Sequence, residues 1–308
     1  MIYFYLVLQQ LIGSTTHLVA QDTSTAVAPV LVLLLRAVGA SVLFVPILLL
    51  TERRWNIFRR IERSDYNRIV LLGVLNVPLN QFLYLNGVKY TTPANSALLY
   101  AMTPAMVFLL TLVTKSERPT ATKAFGIFIA LVGAGLIMFE HGATLRSEHT
   151  VGNILVFVAV IAWSLFTMLG RPLVLKYGAV YVTAINMIVG TIIYLPIGLF
   201  WGHFEDLSKI GNVLWIEIAY LAAISSVLNY ILWYTALAKL ETTKVAIFQN
   251  LQPVLTTIMA LVLGRAVFTA RLGIGGVLTI GGVMVVQFGG RLLSARSGPG
   301  QSSSAPGD

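Results

Sequence analysis

Ten apolar stretches of membrane-crossing length follow one another along the chain, at about 2–21, 27–50, 69–88, 93–114, 121–140, 152–170, 179–201, 212–237, 243–263 and 270–290. A hydrocarbon core about 30 Å thick takes roughly 20 helical residues to cross, and a helix satisfies its own backbone polar groups on the way. The pattern predicts an all-α integral membrane protein of ten transmembrane helices. Composition agrees: 57% of the 308 residues are hydrophobic and 11% are charged, against about a quarter charged in soluble domains. The break at Tyr90-Thr91-Thr92-Pro93 is so short that the third and fourth helices must form an antiparallel hairpin. The opening run lacks a basic leader and is interrupted by Gln9, Gln10, Ser14 and His17, so it reads as a retained first helix. Residues 294–308 are rich in Ser, Gly and Pro, the composition of a disordered tail.

A net charge of +9 does not point to nucleic acid. The basic residues sit in short clusters between apolar stretches, as at Arg53-Arg54 and Arg59-Arg60, and form no continuous face. With the N-terminus placed in the cytoplasm, fifteen Lys and Arg fall on the inner side and five on the outer, with Arg36 inside a helix. That bias predicts two cytoplasmic termini and an even helix number. Absence of cysteine excludes disulfides, thiolate catalysis and Cys-based zinc sites. No cofactor or metal is expected.

The chain also repeats itself. Sliding residues 80–139 by 149 positions lays Asn80 on Asn229, Pro104 on Pro253, Thr120 on Thr269, Gly126 on Gly275 and Gly133 on Gly282. Eleven of the sixty positions are identical, and the helix breaks coincide. Residues 1–140 and 150–290 thus read as two five-helix halves. Five is odd, so the halves enter the membrane in opposite senses and form an inverted repeat, with substrate expected at the midplane between them.

Thr103-Pro104, Ser116-Glu117-Arg118-Pro119-Thr120, Gly126 and Gly133 together resemble the end of an EamA-type repeat of the drug/metabolite transporter superfamily. Ile161-Ala162-Trp163-Ser164 is similar to the opening of that family's second repeat, and Leu35-Arg36 to the Leu-Arg pair of its second helix. The resemblance implies ten helices in two EamA repeats, a bacterial inner-membrane location, and movement of small organic molecules, with amino-acid exporters prominent. The second copy departs from the pattern: Ala266 stands where an acidic residue is usual. Glu117 and that position lie at helix ends, away from any midplane site, and no functional role is assigned to them.

Polar side chains inside a membrane are costly unless satisfied, so they mark candidate sites. Gln10, Ser14, His17 and Gln21 recur with helical spacing on the first helix. Asn76, Asn80 and Tyr84 do so on the third, and the shifted copy places Ser225, Asn229 and Trp233 on the eighth. Tyr100 precedes Pro104, Gln249 and Asn250 precede Pro253, and Trp163 marks the sixth helix. The candidate substrate-binding set is therefore Gln10, Ser14, His17, Asn80, Tyr84, Tyr100, Trp163, Asn229, Trp233, Gln249 and Asn250. The competing reading is that the amides only hold helices together. Tyr84 and Trp233 are expected as outer and inner gates, since inversion swaps the sides of equivalent residues. His17 either serves substrate or proton, or bonds a neighbouring helix. Arg36 is expected to be structural, paired with Asp22. No carboxylate lies near a midplane, so strong proton coupling is not expected.

A multi-pass enzyme lacks its nucleophile–base set here, and a channel fits the inverted repeat less well than a gated cavity does. The sequence thus predicts a secondary transporter exporting small metabolites, amino acids foremost. Its partners are a small-molecule substrate and the lipid bilayer, with a monomer or homodimer both open. A drug or phosphorylated-metabolite carrier is the alternative.

Overall fold

The computed structural model describes residues 1–52, 61–140, 147–262 and 269–296. All regular structure among them is helical. In chain order the helices are α1 (Ile2–Ala26), α2 (Pro29–Glu52), α3 (Arg63–Lys89), α4 (Ala94–Val113), α5 (Ala121–Glu140), α6 (Thr150–Tyr177), α7 (Ala179–Trp201), α8 (Asn212–Leu237), α9 (residues 242–262) and α10 (Ala270–Arg296). Eight of these are long and apolar enough to cross a membrane, the exceptions being α1 and α9. Polar residues from Gln9 to His17 dilute the apolar run of α1. The second exception is broken: α9 has a 3₁₀ turn at Ile247–Asn250 between Thr242–Ala246 and Leu251–Val262. Helix α10 runs past Ser294, where the tail was expected to start, as far as Arg296. Residues 297–308 of that tail lie outside the described residues.

Local chemistry explains the irregular helices. In α4 the Met102 N–H bonds to the Leu99 carbonyl, and a new helix starts at Thr103 with Pro104 in its first turn. Pro253 follows the α9 break in the same way. A proline lacks the N–H that an unbroken helix needs and tolerates a first turn well. Helices α3 and α8 each loosen into π-helical turns, at Leu75–Gln81 and Leu221–Leu228. Pro78 lies inside the first. Each π-helical run ends at or next to one of the repeated asparagines, Asn80 and Asn229.

Packing follows small residues. Helices α5 and α10 lie against each other, and an added Cβ at Gly126 would meet the Gly282 carbonyl at 2.9 Å, while one at Gly133 would meet that of Gly275 at 2.6 Å. Since Gly275 and Gly282 are the shifted copies of Gly126 and Gly133, these contacts exchange under the repeat. At the level of helices the same exchange relates α3 on α7, where Gly73 meets Gly190, to α2 on α8, where Gly39 meets Ala222. Helix α1 packs on α8 and α9, as α6 packs on α3 and α4.

Ionic and polar ties link the two halves at both ends. At one end Lys176 Nζ lies 2.7 Å from both Asp65 Oδ2 and Glu62 Oε2. At that end too, Glu117 accepts from Thr243 Oγ1 at 2.7 Å and from the Thr243 N–H at 3.3 Å, at the start of α9. Lys123 Nζ bridges Glu117 (3.3 Å) and Glu241 (2.7 Å). At the other end Asp206 Oδ2 accepts from the Ala28 N–H at 3.1 Å, and Thr91 donates to Asn153 at 2.6 Å. Lys209 and the Ala28 N–H hold the Asp206 carboxyl below its ordinary range.

Candidate functional site

Both halves contribute to one polar cavity of about 70 Å³ deep among the helices. Seven of the eleven expected residues line it: His17, Asn80, Tyr84, Tyr100, Trp163, Asn229 and Gln249. Helix α3 presents Asn80 from within its π-helical turn, where the Nδ2 amide donates to Tyr100 Oη and to the Ala159 carbonyl, both at 2.8 Å. One asparagine thereby joins α3, α4 and α6. Tyr84, one turn on, meets His17 Nδ1 through its hydroxyl at 2.7 Å, and His17 Nε2 lies 3.1 Å from Gln252 Oε1. The neutral tautomer with its hydrogen on Nε2 satisfies both contacts, which accounts for a buried imidazole without an acid. The rings of His17, Tyr84 and Tyr100 form an edge-to-face triangle with centroids 5.4–5.6 Å apart. Trp163 makes a second aromatic corner, with Tyr230 edge-on at 5.3 Å.

Four expected residues stand outside the cavity wall. The Gln10 Nε2 amide donates to its neighbour Gln9 while its Oε1 has no partner, and Ser14 donates to the Gln10 carbonyl at 2.8 Å and to the Gln252 carbonyl at 3.3 Å. Asn250 is fully buried with neither amide atom partnered. Trp233 is completely buried and donates from Nε1 to Thr167 at 3.2 Å. It packs against Trp163, with centroids 5.5 Å apart, and is not among the residues that line the cavity.

Arg36 is the larger correction. Its expected pairing with Asp22 does not form; Arg36 Nε donates to Ser226 Oγ at 2.7 Å and Nη2 to Ser225 Oγ at 3.2 Å. Both serines lie in the π-helical turn of α8. The guanidinium is 3% exposed and lines the cavity. Gln9, Gly13, Thr16, Gln81, Tyr230 and Gln252 also line it without having been singled out. Two of them carried a readable signal: Gln81 and Tyr230 each follow a repeated asparagine and superpose under the 149-residue shift.

Several wall groups have no hydrogen-bond partner: the amide oxygens of Asn229 and Gln249, and the Trp163 indole N–H. Buried polar groups are satisfied as a rule, so these three unpartnered atoms, all on residues of the wall, stand out. No Asp or Glu lines this cavity among the described residues, and none of their Cys, His, Asp and Glu side chains cluster as a metal site.

Comparison with known proteins places this architecture. A solved crystal structure superposes with a TM-score of 0.75 over 94% of this chain and 97% of its own, at 18% identity. The chain is 28% identical over 224 residues to the uncharacterized transporter YyaM of Bacillus subtilis, covering 72% of this chain and 73% of that one. It is 32% identical over 221 residues to an uncharacterized transporter of Archaeoglobus fulgidus, covering 71% and 75%. A protein of Streptantibioticus cattleyicolor named a probable terminal-alkyne amino-acid exporter is 25% identical over 228 residues, covering 74% and 75%. The model of the EamA-like transporter family matches twice, over residues 1–139 and 150–288, so that nearly the whole chain is accounted for: it belongs to the EamA-like transporter family.

Proposed function

We propose that this protein is a secondary transporter that exports small metabolites, amino acids foremost, by alternating access around the central cavity. One observation carries the reading: a polar pocket built by both repeats among the helices, with ties between the two halves at both ends. The exchanged glycine contacts support a pseudo-two-fold between the halves, and an odd number of spans in each half makes that repeat an inverted one. On this reading α1 and α9 also cross the bilayer and complete ten spans. Their interruptions are what a cavity wall requires, since irregular or polar backbone at membrane depth is tolerated where it lines a cavity. Both termini are cytoplasmic in this arrangement, which puts the Glu117 cluster at the inner face.

The test is transport by purified protein in liposomes. Preloaded vesicles should release labelled amino acids faster than protein-free ones, with saturation. Failure to move any member of a panel of amino acids, amines, sugars and nucleosides would remove the carrier assignment.

A further inference from the structure

The cavity is lined by a cation, Arg36, for which the described residues supply no carboxylate. Arg36 sits within α2 at 3% exposure, and its described contacts are two neutral hydroxyls, those of Ser225 and Ser226. A guanidinium stays protonated and carries five N–H donors, so several remain for another partner. No carboxylate of the described residues comes within ion-pairing distance of it. A cation at membrane depth without a counter-ion is expensive, and proteins keep such charges where function uses them.

We infer that the solute held in the central cavity carries a carboxylate and that Arg36 is its anchor. This deepens the carrier reading and rests on it. The planar guanidinium fork matches the two oxygens of a carboxylate. A phosphate dianion would leave excess negative charge beside a single cation, since no other Lys, Arg, Asp or Glu of the described residues lines the wall. The unpartnered amide oxygens of Asn229 and Gln249 supply acceptors for a donor elsewhere on the solute. An α-amino acid has both features, a carboxylate and an ammonium group.

A purely structural Arg36, holding α2 to the π-helical turn of α8, gives different results. The full chain is purified and reconstituted as wild type, Arg36→Gln and Arg36→Lys. The probes are L-phenylalanine and L-leucine, each with its carboxamide and its decarboxylated amine, plus 3-phenylpropionate and phenyl phosphate. Binding is read by thermal shift and transport by competition against labelled L-leucine and labelled phenethylamine. In the wild type, acids should outcompete amides and amines by at least about tenfold. Arg36→Gln should bring acid and amide level, while the ligand-free variant melts no lower than wild type, because a buried uncompensated charge has gone. A structural arginine would instead lower melting and spare the ratio. Arg36→Lys keeps the charge without the fork and should show an intermediate ratio, which serves if the glutamine variant does not fold.

Equal binding of acid and amide by the wild type overturns the anchor and leaves the carrier reading standing. So does preference for phenyl phosphate over phenylpropionate, or an unchanged ratio in a folded variant. If neither labelled solute moves through any of the three proteins, and no member of the wider panel of amino acids, amines, sugars and nucleosides does, the carrier reading falls and the anchor with it.

Discussion

Replacing Glu117 by alanine should loosen one end of the molecule selectively. Its carboxylate is 7% exposed and receives three contacts: Thr243 Oγ1 at 2.7 Å, the Thr243 N–H at 3.3 Å and Lys123 Nζ at 3.3 Å. Hydrogen bonds to a charged group contribute about 1.5–3 kcal/mol each. Two of these are long, and Lys123 keeps Glu241 at 2.7 Å, so the combined loss is about 3 kcal/mol. If these contacts break when that end opens, the open population rises by about a hundredfold. The ties of Lys176 to Glu62 and Asp65 remain and limit the effect to part of the closure. The chain has no cysteine, so Thr16→Cys on the cavity wall gives a single label site. Its reaction with a membrane-impermeant thiol reagent is compared in inside-out and right-side-out vesicles. Labelling should accelerate in inside-out vesicles only. Unchanged labelling, or equal acceleration from both sides, would refute the argument that Glu117 holds the inner end closed.

Three further outcomes are expected. Gly133→Leu should lower the melting temperature in detergent by several degrees, because its Cβ meets a backbone carbonyl at 2.6 Å and overpacking costs about 1–3 kcal/mol; Gly135→Leu, with nothing within 4 Å, is the control. Transport should persist when an uncoupler collapses the proton gradient, since His17 is satisfied as a neutral ring and no acid of the described residues lines the cavity; arrest by the uncoupler, reproduced by His17→Ala, would make His17 a proton carrier. A reporter fused after Arg291 should read as cytoplasmic, and an external signal there would reverse the assigned orientation.

Helix existence and the duplication were legible because both rest on patterns spread over many residues. Which way a polar residue faces was not. On α1 the spacing of Gln10, Ser14 and His17 suggested one face, yet the cavity receives Gln9, Gly13, Thr16 and His17, about one residue around the helix. Amides and hydroxyls can bond within their own helix, as Ser14 does to the Gln10 carbonyl, so polarity alone does not locate a cavity. The π-helical turns were invisible too, since hydrophobic periodicity does not register an i→i+5 bond. They shift the facing of everything beyond them, and they supply the serines that hold Arg36. The Asp22 expectation failed for a related reason: nearness to the same end of neighbouring helices did not bring the side chains together. Trp233 looked like a cavity ring because its copy is Tyr84, but its indole N–H is spent on Thr167.

The buried charge of Arg36 has an electrical consequence. In alternating access the cavity takes the potential of whichever side it opens to, so a fixed cation in its wall crosses the membrane field although its atoms barely move. One elementary charge moved through 100 mV is worth about 2.3 kcal/mol. With a negative interior, the voltage favours the empty site facing inward. An anionic carboxylate cancels that bias, so the loaded step outward is voltage-insensitive and the empty return is pulled inward, one negative charge leaving per cycle. A zwitterion leaves the charge of the site unchanged and its export carries no net current. Solute-evoked current across a planar bilayer therefore separates the two kinds of carboxylate cargo.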